Sequence, residues 1–299
     1  MIGIARQYLS ELADATGIAW NRFWFAPSGS ETLGLVRIGA GVLALITMGS
    51  FGSDLQWLVA GEGMLPRDFV RDHYPLSLSL FDFVPGSLLT PVWIATLVAA
   101  VLMILGIGGR WSVIATAIAL LSYLNRVPLL VQPYETVLSF VLIYLCVGNC
   151  WEHLCLRFNR KEVTAAKPRV ANQVSLRLIQ VHLAVVHAMM AIAQLTEPEG
   201  VWWTGEGMWL LASREGMPLI DLSAWFENRK LASGLAHMVT LYLAAFPILV
   251  WGRWTRPLVL AAGLVVWLLL LIVSGRVMLC LTMLTATLVF LPKEAPAEA

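Results

Sequence analysis

Residues 257–274 read PLVLAAGLVVWLLLLIVS, eighteen residues without a charge. A helix rises ~1.5 Å per residue and a bilayer core is about 30 Å thick, so ~20 consecutive apolar residues cross it. The chain repeats this kind of run. TLGLVRIGAGVLALITMGSF (32–51) is the first, and further spans are expected at 88–107, 111–125, 134–150, 175–195, 231–251, 257–274 and 276–292. Over its 299 residues the chain is 59% hydrophobic and 13% charged. An ordinary soluble domain carries about 25% charge, so this chain cannot clothe itself in a solvated surface. The expected fold class is all-α, a polytopic integral membrane helical bundle of about eight transmembrane helices with two longer outer-side loops. A transmembrane β-barrel would need alternating segments of ~10 residues, and none is present. A net charge of +1 with no basic face argues against nucleic acid as a partner.

The segments between the spans divide the chain. Residues 1–32 mix Leu12, Ile18, Trp20, Phe23, Trp24 and Phe25 with Glu11, Asp14 and Arg22, which suits a helix lying in the membrane interface. No signal peptide is expected there, because no continuous apolar stretch precedes a small-residue cleavage site. Ser28 and Glu31 have capping-box spacing and predict a helix start. Residues 33–292 form the membrane domain, and 293–299 a disordered tail. Gly34, Gly39 and Gly41 invite a close helix approach in the first span. The loops 52–87, punctuated by Pro66, Pro75 and Pro85, and 197–230 are too polar to span. Basic residues favour the cytoplasmic side. Arg157, Arg160, Lys161, Lys167 and Arg169 then place both termini in the cytoplasm and both long loops outside, as in a multi-pass cell-membrane protein.

Polar residues inside spans are the candidates for chemistry. Gln180, His187 and Gln194 stand seven apart, twice. Seven residues drift only ~20° around a helix, so the three form one stripe. A stripe of this kind faces the bundle interior or a wet cavity rather than lipid. It either hydrogen-bonds neighbouring helices, the commoner outcome, or lines a ligand cavity. Arg37, Arg126 and Arg276 lie within or at the ends of spans, and snorkelling to the interface is the simplest account of each. Arg126 follows Asn125 and precedes Pro128, with Glu135 as a partner at the start of the next span. Trp202, Trp203 and Trp209 crowd among Glu197, Glu199 and Glu206, either as an interfacial belt or as pocket walls. Cys146, Cys150 and His153 fall at i, i+4 and i+7 on one helical face with Cys155 beyond, either a metal cluster or small apolar packing with interfacial residues at a helix end; the spacing fits no CxxC-type site, and no metal is expected.

Seven stretches also carry a resemblance: LGLVRIGAG (33–41), GEGMLPRDFV (61–70), SYLNRVP (122–128), RLIQVHLAVVHAMMAIAQL (177–195), VWWTGEGMW (201–209), HMVTLYLAAFPILVW (237–251) and LTMLTATLVFLP (281–292). In this order the chain resembles the horizontally transferred transmembrane (HTTM) family, bacterial relatives of the vitamin K-dependent gamma-carboxylase. The resemblance implies a helical membrane fold whose outer loops cap a cavity. In the carboxylase branch that cavity holds a reduced quinone, vitamin K hydroquinone. A lysine deprotonates it, oxygen adds, and the strong base so formed takes a proton from a glutamate side chain before carbon dioxide traps the carbanion. This chain departs from that pattern. The lysine position is Gln194 and the tyrosine position is His187, while three further polar positions match Asn125, Leu243 and Trp267. A neutral amide is not a general base.

Two functions follow as expectations. One is a non-carboxylating HTTM-type membrane protein that binds a lipid, a quinone or another small hydrophobic ligand, or a protein partner on the outer side. The other is a carboxylase-like enzyme that uses His187 as base with His237, Arg126 or Arg276 assisting. A transporter is disfavoured because no inverted repeat is visible.

Overall fold

The computed structural model describes residues 2–61, 63–156, 167–214 and 220–291. Among them the secondary structure is helical, and the one β-type pairing is an isolated antiparallel bridge between Ser28 and Arg169. Helix α1 (Ile2–Phe25) precedes the bundle. The bundle helices are α2 (Glu31–Ser50), α5 (Leu89–Leu105), α6 (Arg110–Arg126), α7 (Pro133–Leu145), α8 (Val170–Leu195), α12 (Arg229–Leu249), α13 (Thr255–Ser274) and α14 (Val277–Thr287). Short helices fill the two long connections: α3 (Leu55–Val59) and α4 (Arg67–His73) in the first, α9 (Val201–Thr204), α10 (Glu206–Ala212) and α11 (Ser223–Phe226) in the second.

Local chemistry sets several of these boundaries. Asn228 caps α12 by accepting from the Lys230 and Leu231 amides. At the start of α7, Gln132 and Glu135 cap each other's backbone amides and Pro133 fills the first turn, where its missing N–H costs nothing. Gly275 ends α13 at φ +62°, a left-handed conformation that a side chain would strain.

Five segments are long and apolar enough to cross a membrane: Glu31–Ser50, Gly86–Leu105, Val170–Leu195, Arg229–Leu249 and Thr255–Ser274. Helices α6, α7 and α14 stand where spans are expected but are shorter, 17, 13 and 11 residues. Thirteen residues rise only ~20 Å. Successive helices run antiparallel. Arg37 near the start of α2 bonds the carbonyl of Ile104 at the end of α5, and Trp93 near the start of α5 donates to the Met48 carbonyl near the end of α2. Two ends result: one where α1 meets the start of α8, and one carrying the short helices α3, α4 and α9–α11. Close approach in α2 is as expected. A Cβ on Gly39 would sit 2.6 Å from Thr285 Cγ2 of α14, and one on Gly41 2.7 Å from Ile104 Cγ1 of α5.

Four expectations need correction. Ser28 does not cap α2: its backbone pairs with Arg169 in both directions, and the helix begins at Glu31 after Ser30. Arg37 and Arg126 do not snorkel. Arg37 is 0% exposed and donates to the carbonyls of Cys150, Ile104 and Leu154; Arg126 is 1% exposed and donates to those of Val59, Ala60 and Leu65. Glu135 is not the partner of Arg126, because its carboxylate is taken up by the Gln132 amide at 2.6 Å and the Tyr134 hydroxyl at 3.3 Å. Cys146, Cys150 and His153 share no helical face: α7 ends at Leu145, and the turn that follows presents its Cys150 and Leu154 carbonyls to Arg37. The tail 293–299 and the basic residues Arg157, Arg160 and Lys161 lie outside the described residues.

Candidate ligand cavity

Helix α8 carries the predicted stripe, and the structure gives its three residues three different surroundings. Gln194, in the last turn, lines a cavity of about 110 Å³. Met190 of α8, Val239 and Leu243 of α12, Trp267, Leu270 and Ser274 of α13, and Leu279 and Cys280 of α14 form its walls; Trp202 and Leu211, from the connecting segment, close it. Thr240 Oγ1 donates to Gln194 Oε1 at 2.7 Å, which fixes the amide. Arg276 supplies the only charge in the lining among the described residues. The buried Trp267 contributes its indole to the wall. The site is therefore apolar, with an amide, a hydroxyl and a guanidinium at its edge.

A glycine shapes the lid. Gly205 joins α9 to α10 at φ +88°, and a Cβ there would run into the Ser233 backbone of α12. The lid so held presents Trp202, half-buried, to the cavity, whereas Trp203 is 58% exposed and lies edge-on to His237 at 4.3 Å between ring centroids. One tryptophan walls the pocket and its neighbour is exposed.

His187 lies outside the cavity lining and is 0% exposed. Its Nδ1 contacts the Leu183 carbonyl at 2.8 Å and its Nε2 the Tyr242 hydroxyl at 3.4 Å. Phe246 stacks on the ring at 3.8 Å, and Trp267 stands edge-on to it at 5.8 Å. Both ring nitrogens are engaged in a dry aromatic box, an arrangement that anchors α8 to α12 and leaves no room for a substrate at the imidazole.

Gln180, at the opposite end, belongs to a second cavity. Its Oε1 accepts from Arg177 Nη1 at 2.8 Å, and its Nε2 donates to the Val289 carbonyl at 2.7 Å. Of the other sequence candidates, Arg276 and Trp202 join Gln194, while Asn125, Arg126 and Glu135 do not. Asn125 donates to the Leu78 carbonyl at 2.8 Å, so with Arg126 it ties the first long connection to α6. His237 meets Trp203 outside the cavity. Sequence reasoning missed Met190, Leu279 and Cys280 as wall residues; each is an apolar position on a helix whose facing side depends on how α8, α13 and α14 pack.

Among the described residues no group of three or more His, Cys, Asp or Glu side chains comes together. The Cys146 and Cys150 thiols instead donate to the carbonyls of Leu142 and Leu145. In comparisons with known proteins, no family model, curated protein or solved structure matches the chain.

Proposed function

We propose that this is a multi-pass membrane protein of HTTM type, with eight spans and both termini cytoplasmic, that binds a small hydrophobic ligand at its outer end without carboxylating anything. The observation that carries the reading is the lining of one cavity. Gln194, Leu243 and Trp267 stand at three positions where the carboxylase-like pattern has titratable groups, and all three line the same pocket. Among the described residues its lining holds no lysine, histidine or carboxylate. It has lost its means of general-base catalysis and kept its apolar walls.

The volume limits the ligand. Cavities that enclose a drug-sized molecule run to about 300–1,000 Å³. About 110 Å³ takes one ring or the end of one chain. A quinone head or a lipid chain fits this limit when the remainder stays in the bilayer, and the guanidinium of Arg276 and the amide of Gln194 suit a carbonyl or ester oxygen at the pocket mouth. The carboxylase-like alternative loses support from the burial of His187, whose nitrogens are both occupied.

The test is oxygen uptake together with ligand retention, in lipid nanodiscs, using a short-chain naphthoquinone and its reduced form. Saturable retention without oxygen uptake is expected for the native chain, with retention lost in Leu243→Trp, which fills the pocket. Hydroquinone-dependent oxygen uptake by the native chain would overturn the reading.

A further inference from the structure

The second cavity, at the end of the bundle where α1 meets α8, has a different character. It holds about 270 Å³ and is lined by Gln173, Leu176, Arg177 and Gln180 of α8, by Arg256 in the first turn of α13, and by Val289 and Leu291 after α14. Two guanidinium groups and two amides face one space, and among the described residues no Asp or Glu lines it.

Each guanidinium is held by its Nε, that of Arg177 also by Nη1, and the remaining Nη groups are open. Arg177 Nε donates to the Phe23 carbonyl at 3.1 Å, its Nη1 to Gln180 Oε1, and its guanidinium lies 4.1 Å over the Phe23 ring. Arg256 Nε donates to the Val250 carbonyl at 3.1 Å. Among the described residues, Arg177 Nη2 and both Nη atoms of Arg256 meet no acceptor, and neither residue joins an ion pair. Arg37 and Arg126, by contrast, each donate to three carbonyls. Two like charges converging on a cavity repel unless an anion sits between them, and a planar fork of N–H donors matches the oxygens of a phosphate. The level of the site in the molecule is also telling. Trp20, Phe23, Trp24 and Trp251 form a chain of ring contacts beside it, the kind of aromatic cluster found at headgroup depth.

We infer that this cavity binds a phosphate-type oxyanion, held by the forks of Arg177 and Arg256, and that in the membrane the oxyanion is the phosphate of an anionic lipid headgroup. The site lies at the opposite end of α8 from the ligand cavity and stands without it.

Thermal unfolding of the detergent-purified chain tests this, with short-chain phosphatidylglycerol, diacylglycerol or inorganic phosphate added. Phosphatidylglycerol is expected to raise the unfolding midpoint and diacylglycerol to leave it unchanged. In Arg256→Gln the half-saturating phosphatidylglycerol concentration rises about tenfold or more, as loss of a charge-assisted bond implies. Arg256→Lys, which keeps the charge without the fork, loses less. Inorganic phosphate that reproduces the Arg256-dependent shift supports the site and identifies a free oxyanion as its occupant; no shift with inorganic phosphate identifies the lipid. The inference is overturned if no phosphate-bearing probe shifts the midpoint, or if half-saturation is the same in the native chain and both variants.

Discussion

The two ends of α8 face different chemistry. At Gln194 the helix meets Leu243, Trp267 and Leu279, and the neighbouring polar groups are few. At Gln180 its own Arg177 and Gln173 line a cavity with Arg256 of α13. Between them His187 is closed in by Phe246, Tyr242 and Trp267. A stripe that sequence spacing presents as one continuous path is three separate environments. Heptad spacing reports which side of a helix faces inward, and the packing partners at each level decide what that side meets. Here α12 supplies aromatic rings at the level of His187, and they divide the stripe.

The largest effect is expected where both ends share a device. Arg37 at one end and Arg126 at the other each satisfy three backbone carbonyls in a buried site. Arg37→Leu strands the carbonyls of Cys150, Ile104 and Leu154 and should cost about 3 kcal/mol or more, read as a fall in the denaturant midpoint in detergent. Arg126→Leu should cost a similar amount and also expose 52–87 to protease. A loss under about 1 kcal/mol for either would mean that the carbonyls find other donors, and the shared device would fail as an explanation.

Next is the partition between the ends. His187→Ala empties the aromatic box and should cost about 2–4 kcal/mol, whereas His187→Phe, which keeps a ring stacked on Phe246, should stay within about 1.5 kcal/mol. If Phe were as harmful as Ala, the imidazole nitrogens would matter more than the ring, and His187 would return as a candidate for chemistry. Arg177→Gln removes the donor to Phe23 and the contact over its ring, with an expected cost of about 1–2 kcal/mol and faster proteolytic release of α1. The smallest effect belongs to Thr240→Val, which removes one interhelical bond to Gln194. Such bonds average ~0.6 kcal/mol in membranes, so stability should barely change. A loss beyond 2 kcal/mol would make that contact structural rather than a positioning device for the Gln194 amide.

Much of the architecture was legible in the sequence. Five of the eight expected spans coincide with helices long and apolar enough to cross a membrane, because a bilayer-length apolar run is a composition signal that a single sequence carries. The lengths of α7 and α14 were not legible. The first stops at Leu145, where the following turn is organised by Arg37, more than a hundred residues away in the chain. Arg126 was singled out correctly as unusual, but its acceptors are backbone carbonyls, which leave no mark on residue identity. The Gln194 cavity was half legible: Gln194, Trp202 and Arg276 were candidates, and the apolar wall facing them was not. The paired arginines of the other cavity were invisible, since Arg177 and Arg256 lie 79 positions apart and come together only through the packing of α8 against the C-terminal helices.

The independence of the two ends is the central claim, and one double measurement tests it most directly. Retention of a short-chain naphthoquinone and of phosphatidylglycerol is measured on the native chain, on Leu243→Trp and on Arg256→Gln. Leu243→Trp is predicted to lose the quinone and keep the lipid, and Arg256→Gln to lose the lipid and keep the quinone. Loss of both ligands in either variant, with helix content intact, would contradict the account and make α8 the wall of a single site.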